Sequence, residues 1–113
     1  MVHDIFISYS SHDVQWAETL EAGFKQRGIA HVYRDQTRLE VGRQWEPQLR
    51  KALDESRHLV ALWSSHAKDS VWVAKEMSRF EQNAEDDPTR RLICVNLEGA
   101  NAAGVSERFR SSV

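Results

Sequence analysis

The sequence predicts an α/β fold in which helices cover both faces of a central parallel sheet. Short apolar runs, rich in β-branched residues, alternate along the chain with segments whose apolar residues recur every three or four positions. Strands that alternate with helices in this way are typical of a parallel sheet. The 113 residues are enough for one hydrophobic core but not for two, so we expect a single domain.

Composition and charge exclude several classes of protein. Hydrophobic residues make up 41% of the chain and charged residues 28%, as in ordinary globular proteins. The net charge of -2 gives no electrostatic reason to bind nucleic acid or an anionic membrane. No apolar run is long enough to span a membrane, and the first residues do not resemble a signal peptide. We therefore expect a cytoplasmic protein.

Cysteine and histidine usage argues against a metal site. Cys94 is the only cysteine, which excludes an internal disulfide and a cysteine-rich zinc site. The five histidines show no spacing typical of metal ligands. The chain also lacks a P-loop and a Gly-x-Gly-x-x-Gly fingerprint, the key motifs of kinase-like and Rossmann dehydrogenase folds. We expect neither a metal nor a bound cofactor.

The first quarter of the chain predicts a strand, a polar loop and a helix. Asp4–Tyr9 reads as a buried strand. In the loop Ser10–Asp13, either Ser11 or Asp13 is predicted to cap the following helix, Val14–Arg27. Its expected apolar face comprises Trp16, Ala17, Leu20 and Phe24, and Gly28 ends it.

The middle of the chain predicts a second strand, a loop, a helix and a third strand. Ile29–Arg34 is a strand candidate, and Asp35–Arg43 is a polar loop. Helical spacing resumes over Trp45–Ser56, with Pro47 in the first turn, where its missing N–H costs little. The continuous apolar run in Arg57–Ser64 fits a strand that is covered on both faces.

The last part predicts a polar connection, a helix and a fourth strand. Ser65–Asp69 is the connection, and Ser70 or Asp69 is expected to cap the helix Ser70–Phe80. Arg91–Leu97 reads as the fourth strand, and no further strand is evident after it. The expected buried face of the helix comprises Val71, Ala74 and Ser78, together with Met77 and Phe80.

One aromatic residue and one carboxylate stand out on the last helix. Trp72 and Glu76 are four residues apart, which places them on one helical face. The preceding loop, Ser64–Asp69, leaves the carboxyl end of a strand, where open parallel sheets bind ligands. Such a pair can form the wall of a pocket for a flat, cationic ligand. The ordinary alternative is an amphipathic helix whose glutamate is solvated.

Three motifs in these segments resemble those of TIR (Toll/interleukin-receptor) domains. Asp4-Ile-Phe-Ile-Ser-Tyr-Ser10 resembles the first-strand motif, and Trp72-Val-Ala-Lys-Glu76 resembles the motif of NAD-cleaving members. The resemblance covers essentially the whole chain and implies a flavodoxin-like, three-layer fold. Residues similar to the family's BB loop are Arg34, Asp35, Leu39, Glu40, Val41 and Gly42.

The family also has a fifth strand and a last helix, which are not evident here. We therefore expect residues 1–113 to be the N-terminal effector module of a longer protein that carries a C-terminal sensor domain.

For function, the resemblance implies a bacterial NAD+ glycohydrolase of antiviral defence that is activated by self-assembly. NAD+ is then a substrate and not a cofactor, and the product is ADP-ribose or cyclic ADP-ribose. Glu76 would be the catalytic residue. The expected substrate-binding residues are Trp72, Ser10, Ser11, Trp45, Arg34 and Asp35, and the expected assembly surface is Arg38 with Leu39, Glu40, Val41 and Gly42.

Two other functions stay open from the sequence. One is a non-catalytic TIR adaptor that binds other TIR domains, and Glu76 discriminates because a scaffold needs no carboxylate beside Trp72. The other is a receiver-like phosphoacceptor, which would need clustered acids after the first strand, where Ser10 and Ser11 stand. The two serines also have a simple structural explanation as helix caps.

Overall fold

The computed structural model describes residues 2–34 and 47–97, which form the predicted α/β fold. The strands are β1 (His3–Ser8), β2 (Val32–Arg34), β3 (Ser56–Trp63) and β4 (Arg91–Asn96). The helices are α1 (Val14–Gln26), α2 (Pro47–Asp54), α3 (Ser65–Lys68) and α4 (Val71–Asn83), and a single 3-10 turn at Ser11–Asp13 precedes α1.

The four strands form one parallel sheet in the order β2-β1-β3-β4. In the register, Ile5 lies between Val32 and His58, and Ala61 lies opposite Cys94. Because all pairs are parallel, the carboxyl ends of the strands share one edge of the sheet. The loops that follow β1 and β3 therefore lie side by side.

Two hydrophobic clusters cover the two faces of the sheet. Alternate residues of a strand point to opposite faces, and β1 divides in this way. Phe6 packs in the cluster that includes residues of α2 and α4, whereas Ile5, Ile7 and Tyr9 pack in the cluster that includes α1. The sheet is thus the middle of three layers. The lone Cys94 is a small buried residue of the first cluster, as expected.

Strand β2 is shorter than predicted, and its first predicted residue, Ile29, belongs to the end of α1. Gly28 has a positive φ of 90°, and its N–H bonds to the carbonyl of Lys25. The N–H of Ile29 bonds to the carbonyl of Phe24 at 3.0 Å. These two bonds form a Schellman motif. The amide of Ile29 is therefore committed to the helix end and cannot join the sheet. Strand β2 begins at Val32.

Two sequence-based expectations about helices are wrong. Trp16, expected on the apolar face of α1, is 53% exposed, whereas Ala17 is fully buried. The two positions differ by about 100° around the helix axis, and the sheet covers only the side of Ala17. The connection Ser65–Asp69 contains the helix α3, whose four residues are too few to show a helical period. Among the described residues, no helix is long and apolar enough to cross a membrane.

Candidate functional site

Helix α4 carries the candidate carboxylate on the face that packs against the sheet. Ser70 caps the helix, since its hydroxyl accepts a hydrogen bond from the N–H of Val73 at 3.3 Å. The expected buried face of Val71, Ala74 and Ser78 is wrong, because all three are exposed and Val71 is 64% exposed. The buried residues of α4 are Val73, Glu76, Met77 and Phe80.

The carboxylate of Glu76 is fully buried and accepts a hydrogen bond from a strand residue. Its side chain is 0% exposed, as is that of Ser8. The hydroxyl of Ser8 donates to Oε1 of Glu76 at 2.6 Å. Ser8 is the last residue of β1 and shares a sheet face with Phe6, two residues earlier. The contact therefore lies under α4, at the edge where the strands end.

Trp72 lies one turn before Glu76 and is only partly buried. The ammonium group of Lys75 lies 5.3 Å from the centre of its ring, within the range of a cation–π contact. The indole ring therefore already interacts with one cation. A flat, positively charged ligand would use the same property of the ring.

The two serines after β1 differ in exposure. Ser10 is buried, and its hydroxyl accepts a hydrogen bond from the N–H of His12 at 3.3 Å. Ser11 is exposed. Of the two predicted caps, Asp13 does occupy the N-cap position of α1, but its side chain makes no capping hydrogen bond. Ser11 is not a cap, and Ser10 caps the 3-10 turn.

Asp13 instead joins the loop after β1 to the loop after β3. It is 2% exposed and accepts a hydrogen bond from the hydroxyl of Ser64 at 2.5 Å. The same hydroxyl accepts a bond from the N–H of Ala67 and so caps α3. Beside this contact, the rings of His12 and His66 stack with their centroids 4.5 Å apart. Two neighbouring loops at the carboxyl edge of the sheet are thereby held together.

Arg34 is anchored to α1 in this structure. Its Nε donates to Glu21 at 3.0 Å, and its Nη1 donates to the hydroxyl of Tyr9 at 3.4 Å. Burial alone would lower the pKa of Arg34, but the bonds to Glu21 and Tyr9 outweigh it, so the pKa is raised. The side chain of Arg34 is 9% exposed, and its guanidinium is positively charged at every physiological pH.

Several predicted residues lie outside the part of the chain that the structure describes. They are the substrate-binding candidates Asp35 and Trp45 and the assembly residues Arg38, Leu39, Glu40, Val41 and Gly42. Within residues 2–34 and 47–97, no group of three or more His, Cys, Asp and Glu side chains is arranged to hold a metal ion.

Sequence reasoning missed Ser8, Ser64 and the contact role of Asp13. One signal was available for Ser8: it is a polar residue at a position of β1 that alternation assigns to the core. No comparable signal exists for the bond from Ser64 to Asp13. It joins residues 51 positions apart, and only the parallel pairing of β1 with β3 brings them together.

Solved structures with the same fold include a resistosome and a receptor. The TIR domains of an activated Roq1 resistosome that directly recognises the pathogen effector XopQ match with a TM-score of 0.67 and 25% identity, over 83% of this chain and 57% of that one. A metazoan TIR-STING receptor from C. gigas matches with a TM-score of 0.73 and 20% identity, over 99% of this chain and 36% of that one. The second likeness shows the fold alone.

Sequence comparison also finds a relative of this chain and a family that matches it. Disease resistance protein RPV1 of Vitis rotundifolia is 31% identical over 86 residues, which are 74% of this chain but 6% of that protein. The chain therefore spans only a small part of this relative and little more than half of the Roq1 chain. The TIR domain family matches residues 5–111, almost the entire sequence. The chain belongs to the TIR domain family.

Proposed function

We propose that this TIR domain cleaves the nicotinamide–ribose bond of NAD+, with Glu76 as the catalytic carboxylate. One observation carries the proposal. The carboxylate of Glu76 is fully buried, on the core-facing side of α4, one turn after Trp72. Burying a carboxylate costs free energy, and an apolar residue of similar size would suit a purely structural position better. A role in chemistry accounts for that cost.

The reaction fits a site with a single carboxylate. As the bond between C1′ of the ribose and the ring nitrogen breaks, its electron pair neutralises the pyridinium, and neutral nicotinamide leaves without protonation. The ribose then carries positive charge, as the sugar does in glycoside hydrolysis. An ionised Glu76 close to the ribose would stabilise this charge and hydrogen-bond the hydroxyls. Attack of water at C1′ gives ADP-ribose and a proton, and attack by the adenine ring gives cyclic ADP-ribose.

The other candidate residues have supporting roles in the proposal. Trp72 would stack on the nicotinamide ring, and Ser10, Ser11 and Trp45 would contact the remainder of NAD+. Arg34 and Asp35 would line the cleft. For Arg34, binding would compete with its present bonds to Glu21 and Tyr9.

Self-association is the proposed means of activation. The Roq1 relative is described as an activated resistosome, an assembled state of that protein. By analogy, Arg38 with Leu39, Glu40, Val41 and Gly42 would contact a second TIR domain. A C-terminal sensor in a longer protein would trigger the assembly. The bacterial, cytoplasmic and antiviral setting is part of the same proposal.

A nicotinamide-release assay tests the proposal directly. NAD+ is incubated with the protein, alone and clustered on a multivalent support, and nicotinamide is quantified by chromatography. Glu76→Gln keeps the shape and an acceptor oxygen for Ser8 but removes the charge, so we expect release to fall at least about a hundredfold. Glu18→Gln, an exposed glutamate on α1, should change nothing. If the clustered wild type is inert, or if Glu76→Gln equals it in activity, the enzymatic proposal is wrong.

One observation favours the alternative, a non-catalytic TIR adaptor. Glu76 has no solvent exposure in this conformation, so NAD+ must displace neighbouring atoms to reach it. An adaptor would use the carboxylate as a structural group inside the domain, where it accepts the hydrogen bond from Ser8. In that case Glu76→Gln would lower stability but leave the binding of other TIR domains intact, which size-exclusion chromatography of mixed domains would show.

A further inference from the structure

The hydroxyl of Ser8 and the carboxylate of Glu76 form a buried pair between β1 and α4. Both side chains are 0% exposed, and the distance from Oγ to Oε1 is 2.6 Å. A bond of this length between a hydroxyl and a carboxylate oxygen lies at the short, strong end of the range. The pair joins residues 68 positions apart, so it is a tertiary contact and not part of a local turn.

Ser8 is a buried polar residue on a face of the sheet that is otherwise covered by a hydrophobic cluster. Along β1, Phe6 and Ser8 point to the face that carries α4, and Phe6 belongs to the hydrophobic cluster there. Ser8 therefore occupies a core position where an apolar residue would be expected. The backbone of Ser8 is fixed by the parallel pairing of β1 with β3, in which it lies opposite Ala61. The donor is thus held at the carboxyl end of β1, one of the two central strands of the sheet.

We propose that Ser8 is a positioning residue for Glu76: it holds the carboxylate in one orientation and favours its ionised form. This inference rests on the proposed function, in which Glu76 is the catalytic carboxylate. A hydroxyl that donates to a carboxylate favours the charged state over the neutral acid. A glutamate side chain has three rotatable bonds, and fixing Oε1 to the sheet removes most of that freedom. The orientation of the carboxylate relative to the ribose would then be fixed before the substrate binds.

The first test is kinetic. Ser8→Ala should lower kcat for nicotinamide release by about tenfold to a hundredfold, the value of one hydrogen bond to a charged group, with KM changed less than threefold. The acidic limb of the rate profile should move to higher pH, because the carboxylate loses a donor to its ionised form. Ser8→Cys, similar in size but a weaker donor, should fall between the wild type and Ser8→Ala.

Ser56→Ala is the matched control. Ser56 is also a fully buried strand serine, but its hydroxyl donates to the carbonyl of Ala52 at 2.7 Å and it lies at the opposite end of the sheet. We expect a similar loss of stability in the two alanine variants, and a change of kcat and of the pH profile in Ser8→Ala alone. If Ser8→Ala, folded as judged by circular dichroism, keeps the kcat and pH profile of Ser56→Ala, the proposal is overturned.

A second measurement does not depend on activity. The side-chain carboxyl of Glu76 is titrated by carbon-detected NMR in the wild type and in Ser8→Ala. A midpoint that moves to higher pH in the variant supports the positioning role, and an unchanged midpoint overturns it. If the wild type releases no nicotinamide under any condition, the proposed function fails, and this titration still decides whether Ser8 controls the charge of Glu76.

Discussion

The hydroxyl of Ser64 donates a hydrogen bond of 2.5 Å to the carboxylate of Asp13, and both side chains are buried. The bond ties the loop after β1 to the loop after β3. Because the same hydroxyl also caps α3 through the N–H of Ala67, Ser64 has two structural roles. The bond thereby fixes the positions of the two loops at the edge of the sheet. The loop after β3 leads through α3 into α4, the helix that carries Glu76.

Replacing Ser64 by alanine should therefore be costly. The change removes a helix cap and takes one donor away from a buried carboxylate, so we expect the free energy of unfolding to fall by about 2 to 4 kcal/mol. Urea denaturation followed by tryptophan fluorescence measures it. Ser65→Ala, at the exposed neighbouring position, should change stability by less than about 0.5 kcal/mol. Equal effects of the two substitutions would contradict the dual role of Ser64.

Trp72 provides a functional prediction. If its ring stacks on nicotinamide, Trp72→Ala should raise KM for NAD+ by about threefold to tenfold, the value of one aromatic contact, while Trp72→Phe keeps most of the affinity. Initial rates of nicotinamide release over a range of NAD+ concentrations give both constants. Trp16→Ala, which alters an exposed tryptophan on the other face of the sheet, is the control and should leave KM unchanged. An unchanged KM in Trp72→Ala would exclude the stacking.

The pair of Asp54 with Arg79 should make stability depend on pH in acid. Asp54 accepts bonds of 2.7 Å from Nε and Nη2 of Arg79 and another from Asn83. Chiefly through the bond from Arg79, the pKa of Asp54 lies below its usual value of 3.8. The stabilisation is therefore complete above about pH 4 and is lost as the pH falls through and below 3.8.

The matching experiment compares the wild type with Asp54→Asn. Unfolding free energies at pH 6 and pH 3 should differ less in the variant, because one carboxylate no longer titrates. Asp86→Asn, an exposed aspartate beyond α4, should keep the acid dependence of the wild type. The pair is partly exposed, with both side chains 36% accessible, so added salt should weaken it. An acid dependence that is identical in wild type and Asp54→Asn would contradict the assignment.

The order of the elements could be predicted because each produces a local pattern in the sequence. Strand β3 is a continuous apolar run, and α1 ends where Gly28 permits a positive φ. The resemblance to the family motif also points to Glu76. Local patterns fail where burial depends on distant partners. Apolar character predicts a core position for Val71 and Ala74, and charge allows a solvated position for Glu76. In the structure Glu76 is buried, and Val71 and Ala74 are exposed.

Local sequence patterns do not predict the side-chain hydrogen bonds of the candidate site. Ser8 meets Glu76 only after β1 and α4 have packed together, and Ser64 meets Asp13 only after β1 and β3 have paired. Helix α3 is one turn long, so its apolar content shows no period. Polar residues at core-facing positions, such as Ser8, are the one sequence signal that points to such contacts.

His58 should make the domain less stable as the pH falls below neutrality. It lies in β3, and its Nδ1 accepts a hydrogen bond from the N–H of Arg91 at 3.2 Å. Burial, reinforced by the charges of Arg57 and Arg91, lowers the pKa of His58 below 6.5. Because the folded state disfavours the proton, stability is full above about pH 6.5 and declines as the pH falls through that value.

Replacing His58 by glutamine tests this dependence. The loss of stability between pH 7.5 and pH 5.5, measured by urea denaturation, should be smaller in His58→Gln than in the wild type. His31→Gln, an exposed histidine before β2, should behave as the wild type. If the pH dependence of stability is the same in His58→Gln as in the wild type, another titrating group causes it.

Cys94 should be unreactive in the folded protein. It is 3% exposed in β4, and burial raises the pKa of its thiol to about 11. At pH 8 only about one thiol in a thousand is then ionised, and the thiolate is the reactive form. Modification by N-ethylmaleimide, followed by mass spectrometry, should be at least about a hundredfold slower in buffer than in urea. Since Cys94 is the only cysteine, a single adduct reports on it alone. Similar rates in the two solutions would show that β4, paired with β3 at Ala61, opens readily and is not a stable part of the sheet.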